Sequence, residues 1–476
     1  MPSLSVLILA AGRGTRMGAS SALPKVLQEA AGRPLLAHVL DAAAGSRPRE
    51  TIVVGSPELL DSRGAHAGFF QKLLEESGAR AALQRVPRGT ADAVRAGLWK
   101  VRARSGETLV LMGDAPLLSA ASLRSLVAAH RRKKALASVL VFAPPDPTGY
   151  GRLVRDHRGK PVRIVEEKDL RQTGLPWEVS LRECNTGVWV FNLPWLRRNV
   201  RRVKKENAAR EFYLTDLLEL AAAEGRANAL CLERYEEGLG VNTLSELAQA
   251  SRELRRRRIE ELFGAGVVLE DSDRLAIDAT VAVGAGTRIA PGVSLRGNTR
   301  IGKNCRIGEG AVVVDSQIED GAGILPYSVI EESRVRKGAR VGPLAHLRPG
   351  ADVGENAHVG NFVELKKTRL GPGAKANHLA YLGDSRVGAR ANVGAGTITC
   401  NYDGEKKYET RIGEGAFIGS DTQLVAPVSV GAGAYVGAGT TVTENVPAGA
   451  LALSRTKQVN VRGWASRRRK KPKKRK

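Results

Sequence analysis

From residue 277 onward an aliphatic side chain returns every six residues. Ile277, Val283, Ile289, Leu295, Ile301, Ile307 and Val313 keep the interval. So do Val335, Val341, Leu347, Val353, Val359 and Leu365, and then Ile412, Ile418, Leu424, Val430, Val436 and Val442. Glycine commonly follows the aliphatic residue, and a small residue often stands four places after it, as at Ala311, Ala339, Ala345 and Ala357. Neither a helix, with its 3.6-residue period, nor a sandwich of two-residue alternation gives this interval over so long a span. Short strands separated by tight turns do, when each strand points one aliphatic side chain inward and stacked coils share one core. The pattern predicts a parallel β-helix.

The beat is interrupted at "TITCNYDGEKKYET", Thr397 to Thr410. Loops on such scaffolds often carry function. At this point a tolerated insertion and a functional loop are both open. Residues 1 to about 240 follow another rhythm. "SVLILAA", "ETIVVG", "ETLVLMGD" and "ALASVLVF" read as strands, while Arg33 to Gly45 and "AASLRSLVAAHRR" read as amphipathic helices. Strand–helix alternation predicts a mostly parallel sheet covered on both faces, with ligands at the carboxyl ends of its strands. Between the halves, Thr243 to Phe263 contains neither Gly nor Pro, and Gly264 and Gly266 follow it. It reads as one linker helix whose arginine run is a solvated face.

The stretch "LILAAGRGTRMGASSALPK", Leu7 to Lys25, follows the first apolar run, Val6 to Ala11, with glycines at 12 and 14. It lacks the Gly-Lys-Ser/Thr end of a P-loop, and Met17 stands where the dinucleotide fingerprint wants its third glycine. What remains is a cradle of backbone amides with Arg16 on the loop and Lys25 beyond it. That arrangement suits a triphosphate whose leaving pyrophosphate gathers charge. Asp114, in "LMGDAPLL", is placed to ligate Mg²⁺ at a strand end, and Asn242, in "GLGVNT", could add a neutral oxygen. Taken singly, each is as well explained as a turn or cap residue.

Nine of the side chains behind the +25 net charge lie within residues 467–476. A terminal block of like charge reads as a solvated tail that attracts polyanions loosely. With aromatic residues at 4% there are few platforms for stacking bases, so no specific nucleic-acid partner is expected. The four cysteines, Cys184, Cys231, Cys305 and Cys400, lack metal-ligand spacing and fit a reducing compartment. The N-terminal apolar run is too short for a signal peptide or a membrane span, so no membrane insertion and a cytoplasmic location are expected.

"LAAGRGTRM" and "LPKVL", with "GDAPL", "PTGYGR", "VEEKD", "NTG", "EFYLTD" and "GVNT", are similar to the signatures of sugar-nucleotide pyrophosphorylases. "RPGADVGENAHVGNFVELKK", "HLAYLGDSRVG" and "NVGAGTITCNYDG" resemble, nearly word for word, the bacterial bifunctional UDP-N-acetylglucosamine pyrophosphorylase/glucosamine-1-phosphate acetyltransferases. The resemblance spans almost the whole chain. It implies a Rossmann-like uridylyltransferase domain over 1–242, the linker helix over 243–263, a left-handed β-helix acetyltransferase domain over 264–461, and a basic tail over 462–476.

It also implies roles. Ala10, Ala11, Gly12, Gly14, Arg16 and Lys25 would hold UTP phosphates, with Arg16 and Lys25 acting in catalysis. Gln84, Gly89 and Thr90 would hold the uracil. Gly151, Glu166, Asn185 and Thr215 would line the N-acetylglucosamine side, and Asp114 and Asn242 would hold Mg²⁺. In the second half His378 would be the general base, a task suited to a histidine. Arg348, Lys366, Tyr381, Asn392 and Lys407 would bind glucosamine 1-phosphate. Ala395, Asn401, Tyr402, Ser420, Gly437 and Arg455 would face acetyl-CoA, with Asn401 and Ser420 positioning the amine or the reacting carbonyl. The resemblance further implies a homotrimer whose acetyl sites are shared between subunits.

Three places depart from the family pattern. The run between Arg16 and Lys25 is longer, Gly437 replaces an alanine, and "GTADA" puts Asp92 beside the proposed triphosphate site. Two rival readings are a pyrophosphorylase with a merely structural solenoid and an inactive basic scaffold. His378 and the "NYDG" loop argue against the first, and the set Arg16, Lys25, Asp114 and Asn242 against the second.

Overall fold

The computed structural model describes residues 3–12, 17, 23–61 and 64–469. Arg16, Gly14 and the last seven residues of the basic tail lie outside them. The described chain divides into two compact units, one ending at Arg258 and the other beginning at Ile259.

In the first unit nine strands form one sheet: β1 (Leu4–Leu9), β2 (Glu50–Gly55), β3 (Arg80–Leu83), β4 (Glu107–Met112), β5 (Ala137–Phe142), β6 (Arg152–Arg155), β7 (Pro161–Val165), β8 (Cys184–Asn192) and β9 (Ala227–Cys231). The main path runs β9-β5-β8-β4-β1-β2-β3, with β6 pairing off β8 and β7 pairing in turn with β6. β1 pairs in parallel with β2 and β4, whereas β8 lies antiparallel between β4 and β5. β1 shows why the sheet is buried on both sides. Val6 and Ile8 enter one apolar cluster with Leu36 and Val39, and Leu7 and Leu9 enter another with Val94 and Leu98. Successive side chains of a strand point to opposite faces, so an unbroken aliphatic run needs cover on both.

β1 ends at Leu9, which places Ala10 and Ala11 past the strand rather than in it. The first helix begins at Leu35, because Arg33–Pro34 pairs as a short strand with Glu29–Ala30. The helix Ala120–Arg132 matches its sequence expectation. The linker helix runs Leu244–Gly264. Its arginines are not simply a solvated face: Arg257 donates to the carbonyl of Leu117 at 2.6 Å and to Glu253 at 2.9 Å, and Arg256 and Arg234 also reach Glu253. The Arg256 and Arg257 guanidinium groups, the Arg256 hydrogen bond foremost, hold the Glu253 carboxyl down at about 2 against its burial.

The second unit is a solenoid of three parallel sheets, each strand only two to four residues long. Ile277 pairs with Leu295 and Leu295 with Val313, 18 residues apart, so three six-residue steps make one coil. The inward aliphatics join one continuous core. The glycine after the aliphatic is required by stacking: a Cβ on Gly354 would come within 2.7 Å of the backbone of Gly371 in the next coil. Where the six-residue beat pauses after Val313, the coil does not stop. Val313 pairs with Ile330, 17 residues on, because the corner at Asp315 is one residue shorter and turns with φ +46°. The stretch from 397 to 410 differs. Val387 pairs with Ile412, 25 residues on, and the extra residues form a small hairpin closed by a Tyr402–Lys407 bridge.

Candidate active sites

In the first unit the expected phosphate and base residues converge at the carboxyl ends of β1 and β4. The amide of Ala10 donates to Val54 at 2.8 Å, and the amide of Gly113 donates to Leu9 at 2.9 Å. They border a cavity of about 470 Å³ lined by Ala10, Ala11, Gly12, Lys25, Gln84, Gly89, Thr90 and Asp114. Lys25 forms an ion pair with Asp114, and its Nζ donates to Asn242 Oδ1 at 2.8 Å. Two residues 128 positions apart in sequence thus meet at one ammonium group.

The side of the cavity where the base is expected is held by a latch. Ala91 and Phe212 exchange backbone contacts with the segment around Gly89: the Ala91 amide donates to Phe212 at 3.0 Å, and the Phe212 amide to Arg88 at 2.9 Å. The amide of Leu214 donates to Thr90 Oγ1 at 3.0 Å. Gly89 has φ +117°, and a Cβ there would lie 2.5 Å from the Phe212 carbonyl. Only glycine accepts both that backbone conformation and that approach. Asp92 is turned toward Gln84 and Arg88.

Gly151, Glu166, Asn185 and Thr215 form a second connected group. The Asn185 amide donates to Gly151 at 2.9 Å, Thr215 Oγ1 donates to Glu166 Oε1 at 3.0 Å, and Gly151 leaves room for the Glu166 carboxylate. Burial pushes the Glu166 carboxyl up, against the pull of the Thr215 hydroxyl, with Asp169, Asp216 and Glu211 adding repulsion. Glu211 also lines the cavity. It lies within "EFYLTD", but sequence reasoning assigned that segment's role to Thr215 alone.

Among the described residues no group of three or more His, Cys, Asp or Glu could hold a metal. Asp114 and Asn242 nevertheless suit Mg²⁺. They present hard oxygen donors, and they already share a cation, the Lys25 ammonium. Mg²⁺ at phosphate sites is held by one or two protein oxygens, with waters and substrate phosphates completing its shell.

In the solenoid three expected cations gather. Lys366 and Lys407 are neighbours, and the Lys407 ammonium, with Arg348 behind it, holds Lys366 below the usual lysine range. Arg348 is anchored by Glu364 at 2.8 Å. The hairpin brings Lys407 here: the Tyr408 amide donates back to Asn401 at 2.9 Å, and Asp403 accepts from Glu405 at 2.8 Å and Lys406 at 2.7 Å. The inserted loop therefore adds a cation to this cluster. Asn401 is buried and donates to Asp384 at 2.6 Å, and the absence of a side chain at Gly383 leaves space for the Tyr381 hydroxyl beside Asn401. Asp384 and Glu364 were not singled out from sequence, since their roles lie in holding Asn401 and Arg348.

His378 closes the strand Lys375–His378 in register with Asn361, and its side chain is exposed. Leu379 then turns the corner with φ +45°, and Tyr381 opens the next face. Among the described residues the side chains of His378 and Asn392 make no hydrogen bond; the Asn392 backbone amide donates to Ala416 at 2.9 Å. Asn392 lies in register with Lys375 and Phe417, on a different sheet from Tyr381. Tyr402 is exposed on the hairpin, its hydroxyl donating to the Gly404 carbonyl. The remaining expected coenzyme residues line up on successive coils. Gly394 packs on Gly419 and Ser420, Gly419 on Gly437 and Ala438, and the Asp421 amide donates to Ala395 at 2.7 Å. Arg455 then lies over Gly437, where a Cβ would come 3.2 Å from its guanidinium.

Residues 6–172 match the family model of MobA-like NTP transferase domains, and residues 280–314 and 409–444 match that of bacterial transferase hexapeptide repeats. The chain is similar over nearly its whole length to curated proteins named "Bifunctional protein GlmU". It is 49% identical to the one from Anaeromyxobacter dehalogenans (strain 2CP-C), over 98% of this chain and 93% of the relative. Identity to that from Anaeromyxobacter sp. (strain Fw109-5) is 50%, over 98% and 93%. Identity to that from Pelobacter propionicus is 45%, over 99% and 100%. The transferase sheet, the left-handed hexapeptide solenoid and this full-length similarity agree: the chain belongs to the family of bifunctional GlmU proteins.

Proposed function

We propose that the chain makes UDP-N-acetylglucosamine in two steps at two sites. The second unit acetylates glucosamine 1-phosphate with acetyl-CoA. The first then transfers UMP from UTP to the N-acetylglucosamine 1-phosphate formed, releasing pyrophosphate. The observation that carries this reading is that each unit gathers its own phosphate-binding cations, Lys25 at one site and Arg348, Lys366 and Lys407 at the other, in a chain of this family.

In the acetylation step the three cations hold the sugar phosphate. His378 Nε2 or Nδ1 takes a proton from the ammonium, and the freed amine attacks the thioester carbonyl and expels coenzyme A as its thiol. Asn401, fixed by Asp384, and the Tyr381 hydroxyl line the reacting centre. The column of Ala395, Ser420, Gly437 and Arg455 accommodates the coenzyme, with Arg455 facing its phosphates.

In the uridylyl step a phosphate oxygen of the sugar 1-phosphate attacks the α-phosphorus in line. The protein's work is positioning and charge neutralisation, so no protein nucleophile is needed. The Ala10–Gly12 backbone and Lys25 receive the triphosphate, with Arg16 added from the resemblance. Gln84, Gly89 and Thr90 hold the uracil, while Gly151, Glu166, Asn185 and Thr215 hold the sugar. Asp114 and Asn242 hold Mg²⁺, which neutralises phosphate charge when bound.

The working form is a homotrimer. A ladder of exposed apolar corner residues supports it: Tyr327, Leu344, Phe362 and Leu379 stack on successive coils, each in the left-handed backbone region. A contiguous exposed apolar strip of this kind marks an interaction surface. No helix of the described residues is long and apolar enough to cross a membrane, and the reading places the enzyme in the cytoplasm with its nucleotide substrates.

The test is separation of the half-reactions by substitution. Lys25→Ala is expected to abolish UMP transfer and leave acetylation intact, and His378→Ala to do the reverse. Loss of both activities in either variant, with the fold intact by circular dichroism, would contradict two independent sites.

A further inference from the structure

Asp92 is a buried carboxylate at the edge of the nucleotide cavity, in the first turn of helix Thr90–Leu98. Both of its oxygens are engaged. Oδ2 accepts from Gln84 Nε2 at 2.9 Å, and Oδ1 accepts from the Arg88 guanidinium at 3.1 Å. Gln84 is buried too and lines the cavity. Its Nε2 makes a second, longer contact with the Gly89 carbonyl at 3.4 Å.

A glutamine amide has two different ends, and an unconstrained one can present either to a ligand. A carboxylate has no proton to give, so only the NH₂ end can face it. The Gly89 carbonyl makes the same demand. With Nε2 directed at Asp92 and Gly89, Oε1 is the end left for the cavity, and no described residue donates to it. Arg88, more than half exposed, balances the Asp92 charge from the outer side, so the carboxylate is paired rather than turned on a triphosphate.

We infer that Asp92 is a positioning residue that sets base specificity: it locks the flip of Gln84 so that the cavity offers an acceptor and not a donor. The inference rests on the reading of Gln84 as a base contact. A uracil ring brings an N3–H donor to such an acceptor. Cytosine brings a bare N3, so two acceptors would face each other in a buried site. Sites built to pair with one hydrogen-bonding pattern reject its inverse because their buried polar groups are left unmatched. UTP is thereby preferred over CTP through a residue that does not itself touch the base.

The test is steady-state nucleotidyl transfer from UTP and from CTP by the full-length enzyme and its Asp92→Ala, Asp92→Asn and Gln84→Ala variants. The wild type is expected to prefer UTP. Asp92→Ala frees the amide to rotate, and Asp92→Asn can either accept or donate. Both should lower the ratio of kcat/KM for UTP over CTP by ~10-fold, mainly through KM for UTP. A merely structural role would reduce turnover of both nucleotides alike and leave the ratio unchanged. Asp92→Asn conserves volume and carries the test if Asp92→Ala does not fold.

An unchanged ratio in the Asp92 variants, with a collapsed ratio in Gln84→Ala, overturns the lock and leaves the base contact standing. An unchanged ratio in Gln84→Ala overturns the base contact itself. A wild type that uses both nucleotides equally overturns the lock as well.

Discussion

Lys25 and Lys366 are the two lysines at the centre of the proposed chemistry, and the chain holds them by opposite means. Lys25 sits against Asp114 and Asn242, whose oxygens accept from its ammonium at the edge of the cavity. Lys366 sits against another lysine, Lys407, and near Arg348. A phosphate dianion entering between them, as proposed, would relieve that repulsion. A charge-assisted hydrogen bond contributes about 1.5–3 kcal/mol. Lys407→Met is therefore expected to raise the KM for glucosamine 1-phosphate by ~10- to 100-fold with a smaller change in kcat, measured by release of the coenzyme thiol.

Asp216, at the start of its helix, gives a pH signature. Burial, with Glu219 and Asp169 adding repulsion, raises its carboxyl from the usual 3.8 to about 6. The folded state thus binds this proton more tightly than the unfolded state. Its contribution to stability is fully present below about pH 4 and is lost as pH rises through about 6. Asp216→Asn should raise Tm by a few degrees at pH 7.5, and the gain should shrink toward zero near pH 4. Burial and the like charges of Glu219 and Asp169 act against the ionised form, which sets the sign at neutral pH as a gain. A fall in Tm at pH 7.5 would contradict it. Asp114 and His378 were singled out in sequence by the company they keep in family-like motifs, since either taken alone reads as readily as a turn, cap or structural residue. Asp384 and Glu364 were not, because each acts through a partner that only the folded chain brings near, and neither was Glu211, which reaches the cavity wall only once the chain is folded.

Among the elements, the hairpin between Asn401 and Tyr408 is an inserted part that carries Lys407 to Lys366. Removing residues 402–408 shortens the 25-residue coil to 18, the length found between Ile412 and Val430. The expectation is a solenoid of nearly unchanged thermal stability that no longer acetylates, while UMP transfer continues; thermal unfolding and the two assays read this directly. Gly354→Val makes the contrary case. Its side chain would meet the backbone of the next coil at 2.7 Å, and overpacking of this kind costs about 1–3 kcal/mol. Urea unfolding should show that loss.

The solenoid was legible because every coil repeats one rule: an inward aliphatic side chain, and often a glycine where the next coil comes close. The pauses in that rule were harder to read. A corner one residue shorter, as at Asp315 or Glu332, leaves no mark in composition, since the adjustment is a backbone angle, φ +46° and +42°. In the sheet, β1 was visible as an apolar run, but its end was not, because Ala10 and Ala11 are as apolar as the strand they follow. The arginine run of the linker helix misled in the other direction: charge implied solvent, whereas Arg257 spends its hydrogen bonds on Leu117 and Glu253.

At the scale of the molecule, two units of unlike architecture belong to one chain, and the product of one site is the substrate of the other. Similarity to the bifunctional relatives extends through both units, so neither is an appendage. The exposed ladder Tyr327, Leu344, Phe362 and Leu379 belongs to the second unit alone. Phe362→Glu combined with Leu379→Glu should yield monomers by light scattering, with acetylation lost and UMP transfer retained. A trimer that survives these charges would place the interface elsewhere.

The most direct measurement follows all products by mass spectrometry in a mixture of glucosamine 1-phosphate, acetyl-CoA, UTP and Mg²⁺, omitting each component in turn. The account predicts UDP-N-acetylglucosamine only in the complete mixture. It predicts N-acetylglucosamine 1-phosphate alone when UTP or Mg²⁺ is withheld. Absence of both products under every condition would contradict it.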